Sequence, residues 1–367
     1  MDQALNGYSV LDLTTTIAGA FGTMFMADLG ATVVKAERPD GDPMRQNDAL
    51  FTAYNRNKKS ITVDLEDASE LEKLKSILGN FDVMIDDLPE EIMKKYGLDD
   101  ASIREACPGL VTVSISNYGK GNSYSARPAF EETLQAESGL SFSIMDLGKG
   151  DPYTIDIPVV EATSAYYAVA PLLAALHEKN KTGKGQHVEI NKYFAATSML
   201  HFNLMYYKYM DILYAGQVTG APAGFARTKD GIVLLMSERE PMWTRTLNLI
   251  EDPILHDPKF SDPAVRKANA DLLMERIEAW LAQYTSREVD VLFTKAGIPI
   301  GFVRNIDELA EDPHVHARDS IVEIEVEGQG KMPFFANPVR LADSPAKYER
   351  APRLGENNAE YLEGGAK

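Results

Sequence analysis

The first forty residues contain the pattern that most constrains the fold, which is a strand, a helix and a second strand in immediate succession. Residues 8–13 are short and apolar, residues 18–29 have helical spacing of apolar side chains, and residues 32–37 are rich in β-branched side chains. Gly30 is placed to end the helix because glycine adopts the left-handed conformation at little steric cost. This order predicts two parallel strands joined by a helical crossover.

Similar patterns continue along the chain and extend the predicted sheet. Further strands are expected at residues 83–85, 110–115 and 187–190. Helices are expected at residues 67–78, which are polar, and at 162–177, which are apolar and poor in charge; Pro171 is expected to kink the second or to lie in its first turns. The alternation predicts an α/β fold with a mainly parallel sheet covered on both faces.

A change of pattern between residues 225 and 321 indicates a second, smaller domain. This region combines a short strand with amphipathic helices, expected at residues 232–236, 269–284 and 287–296. We therefore predict that residues 1–200 form the first part of a large domain, that residues 225–321 form a small α+β domain, and that residues 322–367 return to the large domain.

Charge and apolar content narrow the possible partners and location. The formal net charge of −18 disfavours nucleic acid and anionic membrane surfaces, since both carry phosphate charge that a partner must neutralise. No stretch reaches the roughly 18 apolar residues of a membrane span, and the N-terminal residues lack the pattern of a secretion signal. The single cysteine, Cys107, cannot form an internal disulfide. A cytoplasmic protein is expected.

Common catalytic motifs are missing from the sequence. The turn after the first strand reads TTTIAGAFG and lacks the glycine fingerprint of nicotinamide enzymes, and no phosphate loop, serine nucleophile elbow or HExxH motif is present. The six histidines are scattered, so no metal site is predicted. The remaining candidates are carboxylates, namely Glu131, Glu132 and Glu161, for which the ordinary role is to stabilise the start of a helix.

Several longer stretches resemble one family in the same order along the chain. They are VLDLTTTIAGAFGTMFMADLGATVVKAERPDGDPMR, YNRNKKSITVDLED, LLAALHEKNKTGKGQHVEI, RTKDGIVLLM, AGIPIGFVRNIDEL and RAPRLGENNAEYL. On these stretches the chain is identified as a member of the class III CoA-transferase family, which includes formyl-CoA transferase and the bile-acid and carnitine CoA-transferases. The resemblance implies a large Rossmann-like domain, a small domain and an interlocked dimer.

The resemblance also implies a catalytic position. Family members move CoA between acyl groups through an aspartate that forms an acyl anhydride and then an enzyme-bound CoA thioester, with the acyl-CoA as substrate and no tightly bound cofactor. Glu161 stands at the position of that aspartate. Glutamate keeps the carboxylate but adds a methylene, and a displacement of about 1 Å can cost on the order of a hundredfold in rate.

Other departures from the family pattern add negative charge where the CoA phosphates should lie. These acidic positions are Glu66, Asp86, Asp87, Glu90 and Glu91, and further changes occur at Ala20, Met145, Asp146 and Val160. The basic residues that remain as candidate partners of the phosphates are Arg38, Arg45, Lys58 and Lys95. Each misplaced carboxylate would repel a pyrophosphate by roughly 1 kcal/mol even with water-like screening. We expect this chain to bind CoA poorly.

Three functional hypotheses follow from the resemblance. The favoured one is a degenerate, non-catalytic subunit assembled with an intact paralogue, as in the two-subunit succinyl-CoA:benzylsuccinate CoA-transferases, so the acceptor would be an aryl-substituted dicarboxylate. The alternative is an active homodimer that uses Glu161 as nucleophile. An acyl-CoA racemase is disfavoured because Phe130 occupies the position of the histidine that a racemase needs.

Overall fold

The computed structural model describes residues 2–145, 151–211 and 221–363. The chain divides into two compact units, one formed by residues 1–215 and 316–367 and the other by residues 216–315. Each unit has its own hydrophobic core. Asp146, one of the positions at which the sequence departs from the family pattern, lies outside the described residues.

The larger unit is built on a six-stranded parallel sheet, which confirms the predicted α/β class. The strands occur in the order β3-β2-β1-β4-β5-β6. Their bounds are β1 Ser9–Asp12, β2 Thr32–Glu37, β3 Lys59–Thr62, β4 Val83–Asp86, β5 Val111–Ser116 and β6 His187–Asn191. The order reverses between β1 and β4, the place where ligands bind in open α/β sheets.

Helices cover both faces of this sheet. The described helices of the unit are α1 Ile17–Asp28, α2 Asp48–Asn55, α3 Ala68–Ile77, α4 Glu90–Tyr96, α5 Asp100–Ala106, α6 Glu131–Glu137, α7 Leu140–Ile144, α8 Val159–Thr182, α9 Lys192–Ser198 and α10 His201–Met210. Val10 packs toward α1 and α8, whereas its neighbour Leu11 packs toward α3 and α4. This alternation buries both faces of the strand, because successive side chains point to opposite sides.

Helix α8 is longer than predicted and crosses the core. Pro171 lies in its interior, and the helix continues through it to a left-handed Gly183. By length and composition alone α8 would be a candidate membrane span, but Ala168, Leu172 and Leu176 pack against the sheet within one core cluster. These contacts are those of a core helix. Glu161 lies in its first turn.

The described residues from 316 to 363 are part of the larger unit. They form an antiparallel hairpin, β10 Ile321–Val326 and β11 Gly330–Phe335, followed by an irregular segment. The Asn57 amide donates to the carbonyl of Lys347 at 2.8 Å, and the Arg56 guanidinium donates to the carbonyl of Phe335 at 2.9 Å. These bonds attach the C-terminal segment to the turn between α2 and β3.

The smaller unit has an antiparallel sheet beside short helices. Its strands are β7 Ala223–Arg227, β8 Ile232–Met236 and β9 Ile300–Phe302, in the order β7-β8-β9. Its helices are α11 Met242–Leu249, α12 Pro263–Ala268, α13 Ala270–Leu281, α14 Ser286–Ala296, α15 Ile306–Ala310 and α16 Pro313–Ala317, the last of which reaches the boundary of the unit. Trp243, Phe260 and Phe293 are fully buried in its core.

Candidate active site

Two carboxylates from distant parts of the chain bind the start of helix α1. Asp87, which follows β4, accepts hydrogen bonds from the amides of Thr15 and Thr16 at 2.9 and 2.7 Å. Glu161 accepts through Oε2 from the amide of Ala18 at 2.7 Å. The first amides of a helix have no partner within the helix and attract anions. The end of α1 that would suit a phosphate therefore already holds two carboxylates of this chain.

The second oxygen of Glu161 is held by a lysine that sequence reasoning did not identify. Lys192 begins α9 and donates from Nζ to Oε1 of Glu161 at 2.6 Å. The two side chains are only 4% and 13% exposed. Charge-assisted hydrogen bonds between poorly hydrated partners are among the stronger ones. Both oxygens of the residue at the family's nucleophile position thus have a partner within the chain.

Glu131 holds the start of α8 in the same way. Its Oε1 accepts from the amide of Val160 at 2.8 Å, and its Oε2 accepts from the amide of Glu161 at 2.9 Å. The sequence indicated only the ordinary role at a helix start for Glu131, which lies in the first turn of α6. Its partners are 29 and 30 residues further along the chain, so no local spacing could have indicated them. Glu131 fixes the position from which Glu161 projects.

Two of the four basic residues predicted to bind CoA phosphates lie in buried or half-buried ion pairs. Arg45 donates to both oxygens of buried Glu37, at 2.6 and 2.7 Å. Lys58 is buried and lies 2.9 Å from Asp12, with two further oxygen acceptors from Asn55 and Ala20. Burial lowers the pKa of Lys58 to about 8. Both cations stabilise the chain's own carboxylates.

The other two predicted residues lie at the surface. Arg38 is 73% exposed and pairs with Asp40 at 3.0 Å, while Lys95 donates to both oxygens of Glu66 at 2.8 Å. Arg38 and Glu66 line a pocket of about 380 Å³ at the carboxyl ends of the first three strands. Other carboxylates at this pocket belong to Glu37, Asp42 and Asp64. The carboxylates that pair with Arg45 and Lys95 line the same pocket as Arg38, and the pocket is rich in acids.

Asp86 is the least well satisfied carboxylate near the site. It is 3% exposed at the end of β4, and its Oδ1 has no hydrogen-bond partner among the described residues. Burial raises its pKa from the ordinary value of 3.8 to about 7, against the nearby positive charge of Lys120. The folded chain therefore binds a proton at Asp86 that the unfolded chain releases above about pH 4.

We expect Asp86→Asn to stabilise the chain at alkaline pH. Because the folded-state pKa is raised, the free energy of unfolding falls as pH increases from about 4 to 7, and the cost is fully present above pH 7. At about 1.4 kcal/mol for each pKa unit, the variant should gain on the order of 2–4 kcal/mol at pH 8. Urea unfolding at pH 5 and pH 8 measures the difference.

The control for this experiment is Asp40→Asn, which removes an exposed aspartate. It should change stability by less than about 0.5 kcal/mol at either pH. A gain for Asp86→Asn that is equal at pH 5 and pH 8 would contradict the assignment of a raised pKa.

Two further sequence expectations concern a metal site and the position of the racemase histidine. Within the three described ranges, no group of three or more His, Cys, Asp or Glu side chains is arranged to hold a metal ion. Phe130, at the position of the racemase histidine, is 77% exposed and precedes α6. The chemistry at the start of α1 and α8 is therefore that of carboxylates and one lysine.

Comparisons with known proteins agree with this architecture. The model of CoA-transferase family III matches residues 5–358. The chain is 28% identical to the succinyl-CoA:mesaconate CoA-transferase of Haloarcula hispanica, over 98% of this chain and 96% of that protein. It is 26% identical to the succinate–glutarate CoA-transferase of Agrobacterium fabrum, over 98% and 94%.

A solved structure extends the agreement to three dimensions. The CaiB/BaiF family protein of Brucella suis superposes with a TM-score of 0.88 at 25% identity, and the match covers 98% of each chain. Sequence and fold therefore agree over nearly the whole length, and this chain belongs to CoA-transferase family III.

Proposed function

We propose that this chain is the non-catalytic subunit of a CoA-transferase whose partner is a paralogue with an intact active site. The observation that supports it is the state of Glu161, bonded at 2.7 Å to the amide of Ala18 and at 2.6 Å to Lys192. A carboxylate that attacks a thioester carbonyl must direct an electron pair at the carbonyl carbon and must be able to move toward that atom. The ion pair and the helix start restrain Glu161 and withdraw charge from both oxygens.

The charges around the phosphate side of the site support the same proposal. Arg45, Lys58 and Lys95 each pair with a carboxylate of this chain, at 2.6, 2.9 and 2.8 Å. To bind CoA they would have to break those pairs. In this proposal CoA enters as a thioester substrate held mainly by the partner chain, with no tightly bound cofactor.

Apolar side chains on α10 favour a second chain as partner. No residue of α10 is buried, and Phe202, Leu204 and Tyr209 are 69%, 60% and 86% exposed. Several large exposed apolar side chains on one helix favour an interaction site. The partner in the proposal is the paralogue, and the interlocked family dimer gives the architecture. The alternative partner is a second copy of this chain. In either form of the proposal, the protein acts in the cytoplasm.

The proposed reaction is transfer from succinyl-CoA to a dicarboxylate. Two relatives are named for succinyl or succinate and for the dicarboxylates mesaconate and glutarate. An aryl-substituted dicarboxylate such as benzylsuccinate is the narrower form of this proposal.

The test compares the isolated chain with its complex. The chain alone should show no measurable transfer from succinyl-CoA, and CoA should give no saturable binding near micromolar concentration, equivalent to about −8 kcal/mol. In the complex, Glu161→Gln should leave the rate within about twofold because that carboxylate does not react. The corresponding change in the partner's aspartate should abolish turnover.

A homodimer that uses Glu161 as nucleophile is the second candidate. It is favoured by the placement of Glu161 in the first turn of α8, beside the start of α1, where the amide of Ala18 and Lys192 hold its two carboxylate oxygens. Robust turnover by the isolated chain, abolished by Glu161→Ala, would establish this candidate and reject the non-catalytic subunit.

A further inference from the structure

A second pocket lies at the loop that follows β5. It has a volume of about 860 Å³ and is lined by this loop, the end of β6 and the start of α9. Four aromatic rings in series form its wall: Tyr124, Tyr118, Tyr193 and Phe194, with neighbouring ring centroids 5.8 to 5.9 Å apart. This volume is in the range of small-molecule sites.

The loop is fixed in position by the strand beside it. Gly119 and Gly121 have φ values of +80° and +69°, which other residues adopt only with strain. The amide of Lys120 donates to Oε1 of Glu189 at 2.6 Å, and the Asn122 side chain donates to the carbonyl of Tyr118 at 3.0 Å. A pocket built this way exists before a ligand arrives, so binding costs little ordering.

The two cations that line the pocket, Arg127 and Lys120, differ in their ion-pair partners. Arg127 lies over the rings of Tyr118 and Tyr124 and pairs with Glu137 at 2.6 Å, and Glu137 also accepts from the Tyr118 hydroxyl. The charge of Lys120 acts on the carboxylates of Asp86 and Glu90, but its ammonium makes no ion pair within 4 Å in the part of the chain that the structure describes. Lys120 is thus the cation at this pocket that remains available to a ligand.

We propose that this pocket binds a small aromatic carboxylate, with its ring against Tyr124, Tyr193 and Phe194 and its carboxylate on Lys120. Phe194 and Tyr124 are 65% and 50% exposed, so their faces are open to stack on a planar ring. Glu189 and Glu137 balance much of the positive charge of Lys120 and Arg127. That balance suits one carboxylate and disfavours a pyrophosphate, which would need more uncompensated cations.

This site does not depend on whether Glu161 reacts, because none of the residues that line the pocket contacts Glu161 through the bonds described above. Its failure and that of the non-catalytic subunit are therefore distinguishable. Binding is measured without CoA, whereas the subunit proposal is tested by turnover.

The experiment is a titration of the purified chain with 3-phenylpropanoate, followed by calorimetry or by ligand-observed NMR. Saturable binding is expected, and Lys120→Gln should weaken it at least tenfold, with a loss of several-fold for Phe194→Leu. Lys184→Gln, which removes an exposed lysine outside the pocket, is the matched control and should change nothing.

Two further ligands separate the ring from the charge. Hexanoate keeps the carboxylate without the ring, 3-phenylpropanamide keeps the ring without the charge, and each should bind at least tenfold more weakly than 3-phenylpropanoate. Absence of saturable binding up to 10 mM ligand, or equal affinity of the Lys120→Gln variant, would overturn the proposal. So would loss of all binding when the chain is in its complex, since a partner chain would then be the occupant of the aromatic wall.

Discussion

Lys192→Met is expected to lower the free energy of unfolding of the chain by about 3–5 kcal/mol, the usual cost of removing one partner from a buried ion pair. Methionine keeps the length of the side chain, so the change removes charge more than volume. Glu161 would keep its bond to the amide of Ala18 but lose its cation, 2.6 Å away. Asp87, on which Lys192 also acts electrostatically, would lose the same charge. Urea unfolding at pH 7.5 measures the loss.

A double variant separates the pair from other effects of the substitution. In Lys192→Met with Glu161→Leu neither charge remains, so the loss should be smaller than the sum of the two single losses by at least about 1 kcal/mol. Lys184→Met, at an exposed lysine, serves as the control and should stay within about 0.5 kcal/mol of the parent chain. Strictly additive losses would show that Lys192 and Glu161 do not stabilise each other.

This ion pair also shows why the site was harder to predict than the fold. Several strands could be predicted from local patterns, since residues 32–37 and 232–236 alternate or cluster apolar side chains in the way that a strand requires. One edge strand of the sheet, β3, was missed because Lys59–Thr62 is short and mostly polar, and only its pairing with β2 makes it a strand. Local periodicity carries no information about such pairing.

The contacts of the charged residues depend on the tertiary structure in the same way. Lys192 and Glu161 are 31 residues apart, and Lys58 and Asp12 are 46 residues apart. The family resemblance located position 161 and suggested Lys58 as a phosphate ligand. It did not indicate with which carboxylate each lysine forms an ion pair, because the pairing depends on how β1, β6 and the helices between them pack. A lysine directly after a strand, as in Lys192, was the only available signal.

Arg56→Met is the second substitution with a large expected effect, because Arg56 connects three parts of the larger unit. Its guanidinium donates to both oxygens of Asp28, at 3.0 and 2.8 Å, and to the carbonyl of Phe335. It also lies 5.1 Å from the ring centre of Tyr348. Asp28 is fully buried, so removal of the cation should cost about 3–5 kcal/mol.

The pH dependence of the Arg56→Met loss identifies its cause. Burial already raises the pKa of Asp28 while Arg56 opposes the rise, so in the variant the carboxyl should take up a proton more readily. The destabilisation should therefore be larger at pH 8, where the uncompensated charge must remain buried, than at pH 5. Hydrogen exchange should quicken in β10 and β11, whose end is held by the bond from Arg56 to Phe335. Arg38→Met, at an exposed arginine, is the control and should change neither the free energy of unfolding nor the hydrogen exchange. If the loss for Arg56→Met does not depend on pH, its cause is lost packing against Tyr348 and not the charge of Asp28.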